Sequence, residues 1–366
     1  MGITADKGVK REWRSDDFDH DNIILAGDIG GTNTNLAILG EKKGKFTMIV
    51  EAHWQSCDVD DVMVPIKQLI DLVTQKDQKL KPTMICISAA GPVSNNSCKI
   101  TNLNWEVDGK KITDELGIKT TVINDFLAIS YAIPILDLEN PTRVMKIPHC
   151  DSTIPQPKEG VKLIIGPGTG LGVGYLVPIG NGKYLPFPSE GGHSDFGSFD
   201  DITWEFKRYM FSKLDVKPGV EPFVSGQGLI NFYKFLMDKK AITMDDVINE
   251  IEAADDSDKP ALISKYSFVN EDCKTIMSMF VKMLGNFAGS LSAIMLPYGG
   301  VFIAGGISAK NEEMLLRDNL FMKHFENNYK PVISDILKQI PVYIIRDYSI
   351  SLYGAANAAM NLMKSN

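Results

Sequence analysis

The chain has 366 residues, 38 basic and 46 acidic side chains, a formal net charge of −8 and 44% hydrophobic residues. At roughly 150 residues per domain, that length gives about two domains, each able to bury a core, and excludes a disulfide-stapled miniprotein. The negative balance argues against nucleic-acid or membrane-surface partners, and the composition excludes disorder and collagen-like repeats.

In chain order, residues 7–21 mix Lys and Arg with a later run of Asp and hold no apolar segment. They are expected to form a frayed, charged extension and not a secretory signal. Residues 23–26 are a β-favouring run, followed by Gly27-Asp28-Ile29-Gly30-Gly31-Thr32-Asn33 and a second apolar run at 35–39. This pattern predicts strand, tight turn, strand. A helical period follows over 60–73 (Val62, Ile66, Leu69, Ile70, Val73), then a strand at 84–87, a helix ending at Gly117, a strand at 121–123 and a buried helix over 126–136. Residues 163–165 lead into Gly166-Pro167-Gly168-Thr169-Gly170-Leu171-Gly172, and 173–177 read as strand again. The two glycine hairpins begin about 140 residues apart, one domain length, which points to an internal duplication.

Helical patterns then run over 204–214, 228–237, 245–254 and 273–295, with Ile276, Phe280, Leu284, Phe287, Leu291 and Met295 on one face of the longest. Strands at 301–304 and 342–345 and a helix over 352–363 complete an alternation that means α/β architecture. The five cysteines, Cys57, Cys86, Cys98, Cys150 and Cys273, contain no C-x-x-C pair, so a reducing cytoplasm is the expected compartment. The apolar stretch 291–307 is broken by Pro297 and four glycines and reads as core, not as a membrane span.

Glycine turns suit phosphate because backbone N–H groups can converge on its oxygens. Neither turn matches a P-loop, and neither leads into a helix as a dinucleotide-binding motif would. Thr32, Asn33 and Thr169 add side-chain donors. Asp28 would repel a phosphate, so a cation such as Mg²⁺ is expected between them; its alternative role is to cap its own turn. Asn124-Asp125 lies where a strand ends and a helix begins, where an ordinary N-cap is the competing explanation. Glu190-Gly191-Gly192-His193, Glu221 before Ser225-Gly226, and Gly305-Gly306 after a strand supply further polar groups and close backbone, each with an ordinary loop or turn as its alternative.

Taken in order, these six motifs resemble the bacterial-type glucokinases of the hexokinase–actin superfamily, from about Ile23 to near the C-terminus. The resemblance implies two ribonuclease-H-like α/β domains with a cleft between them: a small one, residues 1–135 plus 347–366, and a large one, residues 136–346. It implies Asp125 as general base for the sugar 6-hydroxyl, with Asn124, Glu190, His193 and Glu221 holding D-glucose. Gly27, Asp28, Gly30, Gly31, Thr32 and Asn33, with Gly168, Thr169 and Gly170, would surround the phosphates of ATP, with Asp28 toward Mg²⁺ and Gly305 and Gly306 beside the adenosine. A loop over Thr101 to Trp105, including Asn102, would close over the sugar. A homodimer is implied by the same analogy. The alternatives are a kinase for another hexose, or a non-catalytic sugar sensor, which would need an N-terminal DNA-binding domain longer than the 22 residues before the first strand.

Overall fold

The computed structural model describes residues 9–100, 103–187, 189–347 and 349–363. They form two compact units: Met1–Leu136 with Tyr348–Asn366, and Asp137–Asp347.

The first unit runs β1 (Lys10–Trp13), β2 (Asn22–Ile29), β3 (Asn33–Lys42), β4 (Lys45–Gln55), α1 (Met63–Lys76), β5 (Met84–Ala89), a small three-stranded sheet of β6 (Val93–Ser94), β7 (Ser97–Lys99) and β8 (Glu106–Asp108), α2 (Gly109–Leu116), β9 (Thr120–Asn124) and α3 (Asp125–Ala132). Its main sheet has the order β1-β4-β3-β2-β5-β9. β2, β3 and β4 are an antiparallel meander, and β5 and β9 run parallel to β2.

Side chains alternate across β2 as a pleated strand requires. Ile23 and Leu25 join a core with Ile66, Leu69 and Val73 of α1 and Ile112 of α2. Ile24 and Ala26 face the other way, onto Ala128 and Tyr131 of α3 and the alanine-rich helix at the C-terminus, Ile350–Met363. That helix lies so close to α3 that a Cβ on Gly354 would sit 1.8 Å from the Ala128 carbonyl oxygen. The predicted helix over 126–136 stops at Ala132 and passes into a 3-10 turn at Ile133–Ile135, because Pro134 cannot donate an amide to a continuing helix.

From residue 9 onward the N-terminal stretch corrects the expectation of a frayed extension, residues 7 and 8 lying outside the described residues. β1 pairs antiparallel with β4, Trp13 opposite Val50, and adds an edge strand. Trp13 meets Phe18 at 6.5 Å, and Lys76 Nζ lies 3.9 Å from the Trp13 ring centre and 2.9 Å from Asp16 Oδ1. Pairing with β4 and the contacts of Trp13 and Phe18 with each other and with Lys76 hold the charged run down.

The second unit contains β10 (Val144–Ile147), β11 (Lys162–Pro167), β12 (Leu171–Pro178), β13 (Tyr184–Phe187), α4 (Asp201–Leu214), α5 (Gly226–Asp238), α6 (Asp246–Ala253), α7 (Lys259–Tyr266), α8 (Glu271–Met295), β14 (Gly300–Ile303), α9 (Gly306–Lys310), α10 (Glu312–Leu316), α11 (Leu320–Phe325), α12 (Pro331–Leu337) and β15 (Val342–Ile345); α13 (Ile350–Met363) then closes the first unit. Its sheet order is β10-β15-β14-β11-β12-β13. β11 pairs antiparallel with β12 and β12 with β13, while β14 and β15 continue parallel from β11. The series β11-β12-β13-β14-β15 therefore repeats β2-β3-β4-β5-β9 in both order and direction, which is the duplication that the paired hairpins suggest. Leu163, Ile165, Val301, Ile303 and Ile344 of this sheet share a core with Phe206, Phe223, Phe232, Phe235 and the inner face of α8.

Candidate active site

Each unit presents polar groups where its parallel strands end, the usual position of sites on such sheets. In the first unit, register places Asp28 beside Ser88, and Ala89 beside Asn124. Asp28 stands in β2 ahead of the turn, and its carboxylate accepts hydrogen bonds from Ser351 Oγ of α13 at 2.7 Å and Ser88 Oγ of β5 at 3.1 Å. It does not cap its own turn, which overturns that alternative. Burial pushes its pKa above the usual carboxylate range, against the pull of the two hydroxyls.

Asn124 has extended backbone angles and caps α3, its Oδ1 accepting from the Phe126 amide at 2.9 Å while its Nδ2 donates to the Gly91 carbonyl at 3.2 Å. The N-cap explanation thus describes its local bonding. Asp125 is the first residue of α3, with Oδ1 accepting from Phe126 N at 2.8 Å. Burial raises its pKa, opposed by the Phe126 amide and reinforced by the charge of Asp28.

The first glycine turn is closed by Gly30 N donating to Asn33 O at 2.9 Å. Among the described residues the Gly31 and Thr32 amides find no protein acceptor. Gly27 lies inside β2, where a Cβ would press on Leu36 at 3.0 Å and Ile87 at 3.3 Å.

In the second unit, Gly168 N donates to Gly170 O and Gly226 N to Gly168 O, both at 2.8 Å, so the second turn rests on the start of α5. Thr169 at its tip is exposed. Glu221 Oε2 accepts from Leu171 N at 2.8 Å, directly after the turn, and its own amide donates to Gly192 O at 2.9 Å. Ser225 fixes this loop, donating to Glu221 O at 2.7 Å and capping α5 through Gly228 N. Glu190 precedes and His193 ends a 3-10 turn at Gly191–His193, with side chains 90% and 62% exposed and His193 Nε2 3.6 Å from Glu190 Oε2. Gly305 has φ +92°, and a Cβ there would lie 2.7 Å from the Pro167 carbonyl oxygen, so glycine is needed beside the end of β11. Gly306 opens α9, with free space where a side chain would stand.

The first unit thus gathers Asp28, Asn124, Asp125 and one turn; the second gathers Gly168, Gly170, Glu221 and Gly305, with Glu190 and His193 joined through the Gly192 backbone. Thr101 and Asn102 lie outside the described residues, while Leu103 and Trp105 pack against the first unit's core. Sequence reasoning missed Ser56, Ser88 and Ser351, the hydroxyls that hold the first turn and Asp28. Among the described residues no helix is long and apolar enough to cross a membrane.

Two copies of one sheet topology, each with a glycine turn between its first two strands, and a partly buried carboxylate at the strand ends of the first, place the chain in the fold class of the hexokinase–actin type. The glucokinase family model matches residues 25–362, and the chain belongs to the glucokinase family. Glucokinase of Nostoc punctiforme is 36% identical over 357 residues, covering 93% of this chain and 99% of that protein. Glucokinase of a further Nostoc species is 34% identical over 354 residues, with the same coverage of each chain. The crystal structure of a glucokinase from an Antarctic psychrotroph superposes with a TM-score of 0.77 at 26% identity, covering 93% of this chain and 99% of that one.

Proposed function

We propose that the chain is an ATP-dependent glucokinase, transferring the γ-phosphoryl group of ATP to the 6-hydroxyl of D-glucose to give glucose 6-phosphate and ADP. Asp125 carries this reading. It is a desolvated carboxylate at a strand end, fixed by the Phe126 amide, and its raised proton affinity suits a base that takes the hydroxyl proton as the new O–P bond forms. Asn124 holds the hydroxyl beside it through the remaining capacity of its amide.

Glu190, His193 and Glu221 supply acceptors and a donor for the other sugar hydroxyls, and a site built on such bonds rejects sugars lacking one of them. The Gly30–Thr32 turn, the Gly168–Gly170 turn and Gly305-Gly306 receive the nucleotide, oriented amides offsetting the charge of the transferring group. Asp28 fits Mg²⁺: the ion takes hard oxygen donors and completes its shell with waters and phosphate oxygens, and Asp28 offers a carboxylate met, among the described residues, by two neutral hydroxyls. Bound there, the ion would neutralise phosphate charge. Family membership and five unpaired cysteines support a cytoplasmic place, and exposed Trp204, Phe211 and Leu214 on α4 support a homodimer.

The test is Asp125→Asn. Glucose binding by calorimetry is expected to persist while turnover falls by about 10²-fold or more. Near-normal turnover would remove Asp125 from the base role.

A further inference from the structure

The first glycine turn does not close as a simple two-residue hairpin does. In such a hairpin the two residues flanking the loop exchange both of their backbone bonds. Here Gly30 N donates to Asn33 O at 2.9 Å, but the Gly30 carbonyl accepts from Ser56 Oγ, at 2.8 Å. Ser56 is fully buried and begins the 3-10 turn Ser56–Asp58 that follows β4. Its amide also donates to the Thr32 carbonyl at 2.8 Å. A serine hydroxyl has a single proton, and that proton goes to Gly30, so in the 2.9 Å contact with Thr34 Oγ1 the threonine donates. Thr34 is fully buried as well.

The geometry of the peptide bond turns these contacts into a functional statement. In a trans peptide the C=O and the next N–H point in opposite directions. Drawing the Gly30 and Thr32 carbonyls onto Ser56 therefore directs the Gly31 and Asn33 amides away from it, and the Thr32 amide is likewise without a protein acceptor among the described residues. Successive amides presented in this way form an anion-binding concavity. We propose that Ser56 is a positioning residue that holds the first glycine turn open for the nucleotide phosphates. This rests on the kinase reading for the identity of the anion, but the hydroxyl network is set by the protein alone.

Calorimetry with Mg-AMPPNP as probe, and separately with glucose, tests it on Ser56→Ala. The variant frees the Gly30 carbonyl to accept the Asn33 amide, and AMPPNP affinity is expected to fall about tenfold or more, with glucose affinity within twofold of wild type. Unchanged AMPPNP binding by a folded Ser56→Ala protein overturns the proposal even if the enzyme phosphorylates glucose. Wild type that phosphorylates no glucose yet binds AMPPNP in a Ser56-dependent way overturns the kinase reading and leaves this one standing; wild type that binds no AMPPNP overturns this one. Should Ser56→Ala not fold, Thr34→Val, which removes only the supporting donor, is expected to weaken AMPPNP several-fold; an unaltered affinity there contradicts the proposal.

Discussion

Glu221 offers a sharp perturbation because its carboxylate is bonded to the protein as well as aimed at a substrate role. The family resemblance connects it with sugar alone, yet Oε2 accepts from Leu171 N at 2.8 Å, and a Cβ on Gly170 would lie 2.6 Å from the same oxygen. The carboxylate therefore braces the second glycine turn. Glu221→Gln keeps an acceptor and loses the charge; a charge-assisted bond contributes about 1.5–3 kcal/mol against about 1 for a neutral one, so the loss is about 1 kcal/mol, or fivefold in ATP affinity. Glu221→Ala leaves the Leu171 amide without its acceptor, which costs about 1–3 kcal/mol, or roughly 5- to 150-fold. Initial rates over a matrix of ATP and glucose concentrations separate the two KM values. The expected result is a rise in both, larger for Ala than for Gln. A glucose KM that rises while the ATP KM of Glu221→Ala stays within twofold of wild type would refute the bracing argument.

Gly354→Ala places a Cβ 1.8 Å from the Ala128 carbonyl oxygen and forces α13 off α3, at a cost of about 3 kcal/mol or more; thermal melting should show a lower midpoint, and kcat should fall because α3 carries Asp125. Because burial, with Asp28 nearby, raises the pKa of Asp125, its base form is lost at a higher pH than that of an exposed aspartate. The acid limb of kcat/KM should accordingly lie above about pH 4, and a limb at or below that value would contradict the assignment. Burial works against the Glu326 carboxylate, yet hydrogen bonds from buried His149, at 2.7 Å, and from Cys150 N, at 3.0 Å, hold it below the usual glutamate range. A depressed folded pKa stabilises the protein above the unfolded value and loses that stability as pH falls through the folded one, so Glu326→Gln should cost about 2–4 kcal/mol at neutral pH and flatten the acid side of the Tm–pH curve. Trp13→Ala removes the face on which Lys76 rests and loosens β1 from β4; a drop of about 1–2 kcal/mol in urea unfolding checks it.

What the sequence made legible was what carries a local signature. Turn glycines between two apolar runs, the helical period of α8 and the αL stop at Gly117 all express their structure within a few residues, and the order of the motifs was enough to indicate the family. β4 went unread although Val50-Glu51-Ala52-His53-Trp54 alternates buried apolar with less buried polar residues, the period of a half-buried strand. The N-terminal strand escaped because single aromatics in a charged run make no periodic pattern; only pairing with β4 and the reach of Lys76 give them a place. Ser56, Ser88 and Ser351 look like any serine along the chain, and only strand register and the return of α13 to the first sheet bring them to the turn and to Asp28. Likewise, no window of sequence reveals that His149 meets Glu326, 177 positions away. Long-range partners of a site are decided by topology, while its turns and caps are decided locally.

The central claim is tested most directly by incubating the purified protein with Mg-ATP and D-glucose in an assay coupled to glucose 6-phosphate oxidation, with fructose and mannose in parallel. The account predicts rapid, glucose-selective turnover that yields one glucose 6-phosphate for each ADP. ATP hydrolysis at the same rate without sugar, or no phosphorylated sugar at all, would contradict it.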